Sequence, residues 1–465
     1  MPSYAHFEKT TPMPCDAASL YDWHGRMGAF ARLAPPWKSM RLRSGKGSID
    51  VGAETTIETR VAGVPLTWKA RIESNIPGRS FVDEQISGPF ASWKHQHVFD
   101  GVDEASSVLR DRVEYRLPGG RLGSLLGGRY VRRELERLFT YRHRVTERDL
   151  SVWRRYRDQP RWKILIAGGS GFLGQRLGAF LQGQGESVAI LSRHPGPGDV
   201  GWDPRNGSID EAALEGFDIV INLAGTNLAD GRWTESFKRK LYRSRIDSSR
   251  LLVGTLSRLK RPPSLYVGAS GIGFYGDCDA SVVDETRPRG EGFLAELCEA
   301  WEDAGEGSSF AGRILHLRTG VVIDAGGGAL AKMTPPFAFG LGGPLGSGKQ
   351  WMPWIGLEDW IGGVYFAMRE NLAGPVNLAA PQSERNVDFS RSLGRALGRP
   401  AALPVPKRLL ELLLGEFAEE ALLSSCRAVP QRLLDSGYRF GFSDLEAYLR
   451  FTLGKLAEDP SVGEH

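Results

Sequence analysis

The sequence predicts an α/β protein: a doubly wound parallel sheet with a small C-terminal helical part, preceded by an α+β unit built on a curved antiparallel sheet. Three observations predict it. From Lys163 onward, short apolar runs alternate with helical stretches. Before it, five runs alternate apolar and polar residues with period two. A glycine-rich loop sits where the first apolar run after Lys163 meets a helix.

The 465 residues are about three times the ~150 that serve as a prior for one domain, so two or three domains are expected. Hydrophobic residues make up 41%, charged residues 25%, and Gly occupies 58 positions, which excludes disorder and collagen and suits a protein rich in tight loops. The net charge of +4 points to neither nucleic acid nor membrane. Its distribution is uneven: Arg110 to Lys163 holds 16 Arg and Lys against 7 Asp and Glu, a local +9 that leaves −5 elsewhere. Acids and apolar residues interleave there, so a solvated helix face and linker is expected, with no nucleic-acid partner and no stable membrane association. Lys238, Lys240 and Arg245 are likewise read as a solvated helix face before an anion site.

Cys15, Cys278, Cys298 and Cys426 are far apart and form no Cys-x-x-Cys pair, which argues against a zinc site and fits a reducing compartment. Met1 to Asp22 shows no basic start followed by an apolar core, and no window of ~18 apolar residues occurs. A cytoplasmic location is the expectation.

In chain order, Ser48 to Thr59, Val64 to Glu73, Phe81 to Ile86, Ser92 to Phe99 and Ser107 to Tyr115 read as strands of the antiparallel sheet. Leu125 to Val152 reads as a long helix, with Val131, Leu135, Leu138 and Phe139 at helical spacing. The polar stretch RRYRDQPRWK, Arg154 to Lys163, marks the main boundary. Beyond it, strands are expected at Lys163 to Ala167, Val188 to Leu191, Ile219 to Leu223, Leu265 to Gly268 and Ile314 to Thr319, with helices at Thr234 to Leu259 and Phe293 to Gly305. After Ala325 the chain is rich in Gly, Pro and Trp, and after Leu403 it turns helical. The expected domains are residues 1–153, a linker 154–162, a nucleotide-binding domain 163–400 and a C-terminal helical domain 401–465.

The loop places Gly168, Gly171 and Gly174 as G-x-x-G-x-x-G between a buried strand and a helix. Gly168 allows the tight turn, Gly171 the approach of a pyrophosphate, and Gly174 close packing of helix on sheet. The helix opening through Ser170, Phe172 and Leu173 faces the phosphates. At the end of the second strand, an acid would bind a free ribose hydroxyl and a cation a 2′-phosphate. Ser192 and Arg193 stand there, which favours NADP(H) over NAD.

From Lys163 to about Leu453 the sequence resembles the atypical extended short-chain dehydrogenase/reductases of the epimerase family, whose substrate is unknown and which carry an extra C-terminal helical domain. The resemblance rests on AGGSGFLG at 167–174, INLAGTNL at 221–228, GRWT at 231–234, SRIDSS at 244–249, ASGIGFYGD at 269–277, FLAELCEAWE at 293–302 and GLGGPLGSGKQWMPWI at 340–355. It implies a Rossmann fold. It also implies that Asn222, Leu223, Ala224 and Gly225 line the adenine and ribose side and that Ser270 lies beside the nicotinamide. Typical members of the superfamily transfer a proton through a Tyr whose pKa is lowered by a Lys four residues on. Here Phe293 and Leu297 stand in those places, so ordinary epimerase or ketoreductase chemistry is not implied. Ser270 remains as a catalytic residue, with Tyr275 as a proton donor at the pocket or a packed aromatic at its rim. The family usually has a His at the position of Gly356; if that His contacts substrate, the substrate has changed or activity is lost. Gly343 to Lys349 fits G-x-x-x-x-G-K, but Gln350 replaces the Ser or Thr that would hold magnesium and no strand precedes it, so a loop is expected there.

Residues 4 to about 152 resemble, by pattern, the helix-grip (START, or Bet v 1-like) family of polyketide cyclase and lipid-transfer relatives, which implies a hydrophobic ligand in an apolar cavity. Trp93, His95, His97 and Phe99 alternate onto one strand face. His95 and His97 could be metal ligands, but no third ligand of suitable spacing is evident, so a cavity or surface role without a metal is expected. The reading as a whole is an NADP-dependent oxidoreductase or epimerase-like protein acting on a small-molecule substrate, with a non-catalytic NADPH-binding sensor or ligand carrier as the rival.

Overall fold

The computed structural model describes residues 4–456 except 46, 62, 307 and 308, so the end of the expected C-terminal domain, 457–465, lies outside the described residues. Two compact units emerge. One gathers the described residues up to Pro160 with Ala179–Gly185 and those from Phe451 onward; the other comprises Arg161–Gly178 and Glu186–Arg450.

The first unit is a helix-grip fold. Its strands are β1 (Ala5–Met13), β2 (Arg41–Ser44), β3 (Glu54–Val61), β4 (Val64–Ile76), β5 (Ser80–Ser87), β6 (Ser92–Gly101) and β7 (Ser107–Arg116). They form one antiparallel sheet in the order β1-β7-β6-β5-β4-β3-β2. The helices are α1 (Ala17–His24), α2 (Ala29–Leu33) and the 37-residue α3 (Gly120–Tyr156). Asp16 caps α1, its carboxylate accepting from Ser19 N at 2.9 Å. The expected strand from Ser48 begins only at Glu54, because Asp50–Ala53 closes a turn (Ala53 N to Asp50 O, 3.0 Å) with Gly52 at φ +84°. Helix α3 runs past Val152, so Arg154–Tyr156 of the expected linker is helical.

Period two is clean in β6, where Trp93, His95, His97 and Phe99 are buried and Lys94 is exposed. Two apolar clusters lie along this face. Phe7, Trp93, Val113 and Phe139 belong to one; Phe81, Phe99, Leu109 and Leu150 belong to the other. The β5–β6 register sets Asp83 opposite His95, and the β6–β7 register sets Asp111 opposite His97. The expectation that the two histidines lack a third donor is thereby corrected: sheet pairing supplies Asp83, which spacing along one strand did not reveal.

The second unit is a Rossmann fold. Its main sheet contains β8 (Lys163–Ala167), β9 (Ser187–Ser192), β10 (Val200–Asp203), β11 (Ser208–Ile209), β12 (Ile219–Asn222), β13 (Leu265–Gly271), β14 (Arg313–Thr319) and β15 (Gly374–Leu378), in the order β11-β10-β9-β8-β12-β13-β14-β15. All neighbouring pairs are parallel except β10–β11. From β8 the chain winds one way through β9 and β10, then returns to β12 and winds the other way. The crevice between the C-terminal ends of β8 and β12 is therefore a topological switch point, where such sheets bind ligands. The helices include α4 (Phe172–Gly183), α5 (Glu235–Leu256), α6 (Phe293–Glu306), α7 (Gly328–Ala338) and α8 (Leu357–Arg369). Thr234, read as the first residue of α5, is its N-cap, accepting from Phe237 N.

The C-terminal stretch is helical in short pieces, including Lys407–Leu414 and Leu445–Thr452. It also pairs back into the second unit, with Arg427–Ala428 parallel to Val282–Val283 and Leu345 bridged to Val405. Among the described residues, no helix is long and apolar enough to cross a membrane.

Candidate functional site

The glycine loop leaves β8 and enters α4 at the switch point. Gly168 has φ +77°, and a Cβ there would lie 2.7 Å from the Leu223 carbonyl carbon, so this turn requires glycine twice over. At Gly174 a Cβ would lie 2.4 Å from Gly168 O, so helix and loop touch backbone to backbone. Gly171 differs. Its N–H donates to Gly168 O at 2.9 Å, and an added Cβ would meet only that oxygen, at 3.2 Å. It faces outward with Ser170, while Phe172 and Leu173 are half-buried in the first turn of α4. The free N–H groups of that turn and the positive end of the helix dipole suit a phosphate. Gly169, which the sequence pattern skipped, is constrained less strictly: its Cβ would lie 2.3 Å from Ile190 Cδ1, a side-chain end that can move, and 3.2 Å from Ile166 O.

The opposite wall is the end of β12. Asn222 is fully buried, its Nδ2 donating to Ser249 Oγ (3.1 Å) and Tyr266 OH (3.2 Å) while its Oδ1 accepts from Ala224 N (3.1 Å). Asn222 is thus a brace that shapes the Leu223–Gly225 turn. Leu223 N donates to Ala167 O at 2.9 Å, tying this turn to the glycine loop. On the far side of the loop, Ser192 Oγ accepts from His194 N (3.1 Å), and Arg193 is exposed just past β9, with no side-chain ion pair among the described residues.

The three cations of α5 separate. Lys238 pairs with Glu416 (2.6 Å) and Lys240 lies over the Phe237 ring. Arg245 is not on a solvated face: it is buried, stacks over Trp301 at 4.8 Å, donates to Leu241 O (3.2 Å) and lies against Gly225. Desolvation lowers its pKa to about 10, so it still carries its charge near neutrality, with no carboxylate partner among the described residues.

At the end of β13, Ser270 Oγ donates to Glu302 Oε1 at 2.6 Å. Glu302, from α6, also receives Arg318 through two bonds, Nε to Oε1 (2.9 Å) and Nη2 to Oε2 (2.8 Å). Arg318 Nη1 donates to Tyr275 OH (3.0 Å), and Tyr275 in turn donates to Asn377 Oδ1 (2.8 Å). Burial pushes the Tyr275 phenol up to about 12, against the opposing pull of Arg318 and Asn377. Its hydroxyl is committed at both ends and the side chain is buried. Glu302 and Arg318 escaped the sequence reading, since nothing in a single sequence distinguishes a buried charge from a solvated one.

The NAD dependent epimerase/dehydratase family profile matches residues 164–379. The epimerase family protein SDR39U1 of Mus musculus is 38% identical over 293 residues, which cover 62% of this chain and 98% of the relative. The chain belongs to the epimerase family. The human SDR39U1 protein, crystallised with NADPH, is 34% identical with TM-score 0.60, covering 63% of this chain and all of that one. A nucleoside-diphosphate sugar epimerase from Corynebacterium glutamicum is 27% identical with TM-score 0.78, covering 98% of this chain and 92% of its own, so its likeness extends over both units. The polyketide cyclase/dehydrase and lipid transport profile matches residues 13–139, and a domain of unknown function matches 405–452.

Phe293 and Leu297, at the positions where the sequence resemblance expects Tyr and Lys, are packed side chains. Phe293 meets Trp233 edge to face at 5.3 Å, and Leu297 is buried in the same cluster. The N-terminus of α6 is capped from the C-terminal stretch, Glu420 accepting from Phe293 N (2.9 Å) and Leu294 N (2.7 Å). Gly356 also has a packing reason: a Cβ would lie 2.6 Å from the Tyr448 ring, whose hydroxyl accepts from Leu357 N at 2.8 Å. The Gly343–Lys349 stretch is a loop held to the C-terminal stretch by Gly346 N to Val405 O (2.8 Å). Cys278 and Cys426, far apart in sequence, share one buried cluster as free thiols.

Proposed function

We propose that the chain binds NADP(H) at the switch point and acts as an oxidoreductase or epimerase-like protein on a small, hydrophobic carbonyl compound. The observation that carries this is the convergence of the glycine loop, the Asn222–Gly225 turn, Arg193 and Ser270 at the C-terminal ends of four adjacent strands, with a cradle that side chains would fill. The NADPH found with the human relative supports the choice of cofactor. The backbone of Ser170–Leu173 would hold the pyrophosphate, Arg193 with Ser192 the 2′-phosphate, and Leu223–Gly225 the adenosine side. When bound, the nicotinamide supplies or takes a hydride.

Ser270 is the hydroxyl proposed to contact the reacting oxygen. Without substrate its proton goes to Glu302, whose charge Arg318 offsets; a substrate oxygen would compete for that proton. Tyr275 is proposed to support this network. Arg245 offers a buried positive charge for an anionic group near Gly225. The helix-grip unit is proposed to bind a hydrophobic ligand.

The rival reading, an NADPH-binding sensor or ligand carrier, draws on Phe293 and Leu297 and on the committed hydroxyl of Tyr275. Single-turnover oxidation of bound NADPH across a panel of apolar aldehydes and ketones separates the two. Consumption by at least one compound, slowed about 100-fold or more in Ser270→Ala, is the expected result. Silence across the panel, with NADPH still bound, would leave the sensor.

A further inference from the structure

We infer that the helix-grip unit carries a binding site for a divalent first-row transition metal ion of the zinc class, formed by Asp83, His95 and His97. The proposal does not depend on the nucleotide site. Asp83 Oδ2 lies 3.2 Å from His95 Nδ1 and 3.5 Å from His97 Nε2, and the three donor atoms all fall within 4.8 Å of one another. Zinc bonds of about 2.0–2.2 Å to nitrogen and oxygen, at tetrahedral angles, give ligand-to-ligand edges of about 3.3–3.6 Å. The two edges to Asp83 are near that length and the edge between the histidine nitrogens is at most 4.8 Å, so the histidine rings would have to close on an ion by up to about 1.5 Å.

The other nitrogen of each imidazole lies close to a second carboxylate. Asp111 Oδ1 is 3.1 Å from His95 Nε2, a hydrogen bond, and 2.8 Å from His97 Nδ1, a close contact without hydrogen-bond geometry. Asp111 Oδ2 accepts from His143 Nε2 at 2.8 Å, and His143 Nδ1 lies 2.8 Å from Thr11 Oγ1. A carboxylate hydrogen-bonded behind a metal-bound histidine fixes its tautomer and raises its basicity, and Asp111 is placed to do so for His95. The His97 ring is further fixed by stacking on Phe81 at 4.1 Å.

Charge supports the same reading. Asp83 and Asp111 bring two negative charges into a layer between two apolar clusters, which is costly unless they are balanced, and the Arg142 guanidinium, which attracts both, offsets part of that charge. A divalent ion at the Asp83–His95–His97 donors would add positive charge beside both carboxylates. Three protein donors leave the fourth position to water or to an oxygen of a bound ligand, as in open zinc sites. Asp83, with a side chain 20% exposed against 3% for His95, is the donor nearest solvent.

The test uses the full, untagged chain, stripped with a chelator and titrated with Co²⁺, then Zn²⁺. One equivalent of Co²⁺ giving visible d–d bands, displaced by one equivalent of Zn²⁺, is expected. Asp83→Asn and His97→Gln should each lower affinity at least tenfold, and Asp111→Asn by ~10–100-fold, with circular dichroism confirming that each variant is folded. Absence of stoichiometric uptake by the wild-type chain overturns the proposal without any variant. Uptake unchanged in the Asp83→Asn/His97→Gln double variant overturns it equally, by moving the ion elsewhere.

Discussion

Replacing Gly171 by Ala separates a phosphate-binding loop from a loop that is glycine-rich only for packing. The added Cβ meets one protein atom, Gly168 O at 3.2 Å, and Gly171 does not lie in the left-handed region, so the fold should lose no more than about 0.5 kcal/mol. The same methyl on a residue that a pyrophosphate must approach obstructs the ligand. NADPH affinity should fall at least ~10-fold, equivalent to about 1.4 kcal/mol. Gly174→Ala is the contrasting variant. Its Cβ would sit 2.4 Å from Gly168 O and 2.7 Å from Gly169 Cα, against the 3.4 Å at which ordinary contact begins, so α4 must shift by about 1 Å. That overpacking should cost about 1–3 kcal/mol of stability as well as affinity. Thermal unfolding and nicotinamide fluorescence on both variants give the comparison. If Gly171→Ala binds NADPH within twofold of wild type at unchanged stability, the loop serves packing and the reasoning fails.

Gly356→His should lower stability by about 1–3 kcal/mol through collision with Tyr448, while NADPH affinity of the folded chain stays within twofold; urea denaturation and titration check both. Tyr275 gives a pH signature. Burial favours its neutral phenol and lifts the pKa from 10 to about 12, so this contribution is intact below pH 10 and is lost as pH rises toward 12. The loss amounts to about 2–3 kcal/mol over that window. Denaturation between pH 9 and 11.5 should show this extra slope in the wild type and not in Tyr275→Phe; equal slopes would contradict the buried position of the hydroxyl.

The parallel sheet was legible because its strands are buried on both faces and read as unbroken apolar runs, such as Ile164 to Ala167. The glycine loop was legible because strand, turn and helix signals coincide within a few residues. What escaped depends on contacts between distant segments. β1 has an exposed face of Glu8, Thr10 and Pro12, and only its nine-residue pairing with β7 makes it a strand. Glu302 and Arg318 look like ordinary surface charges until α6 and β14 bring them together. Gly356 reads as a lost functional residue until Tyr448, nearly a hundred positions later, is seen to occupy the space. Asp83 becomes a partner of His95 only through strand register.

NADP(H) binding at the switch point is tested most directly by a fluorescence titration of the purified chain with NADPH and with NADH, alongside Arg193→Ala. The wild type should prefer NADPH by about tenfold or more, and the variant should lose this preference by weakening NADPH while leaving NADH unchanged. Failure of both nucleotides to bind at concentrations up to about 1 mM would contradict it, because the switch-point cradle would then hold no dinucleotide.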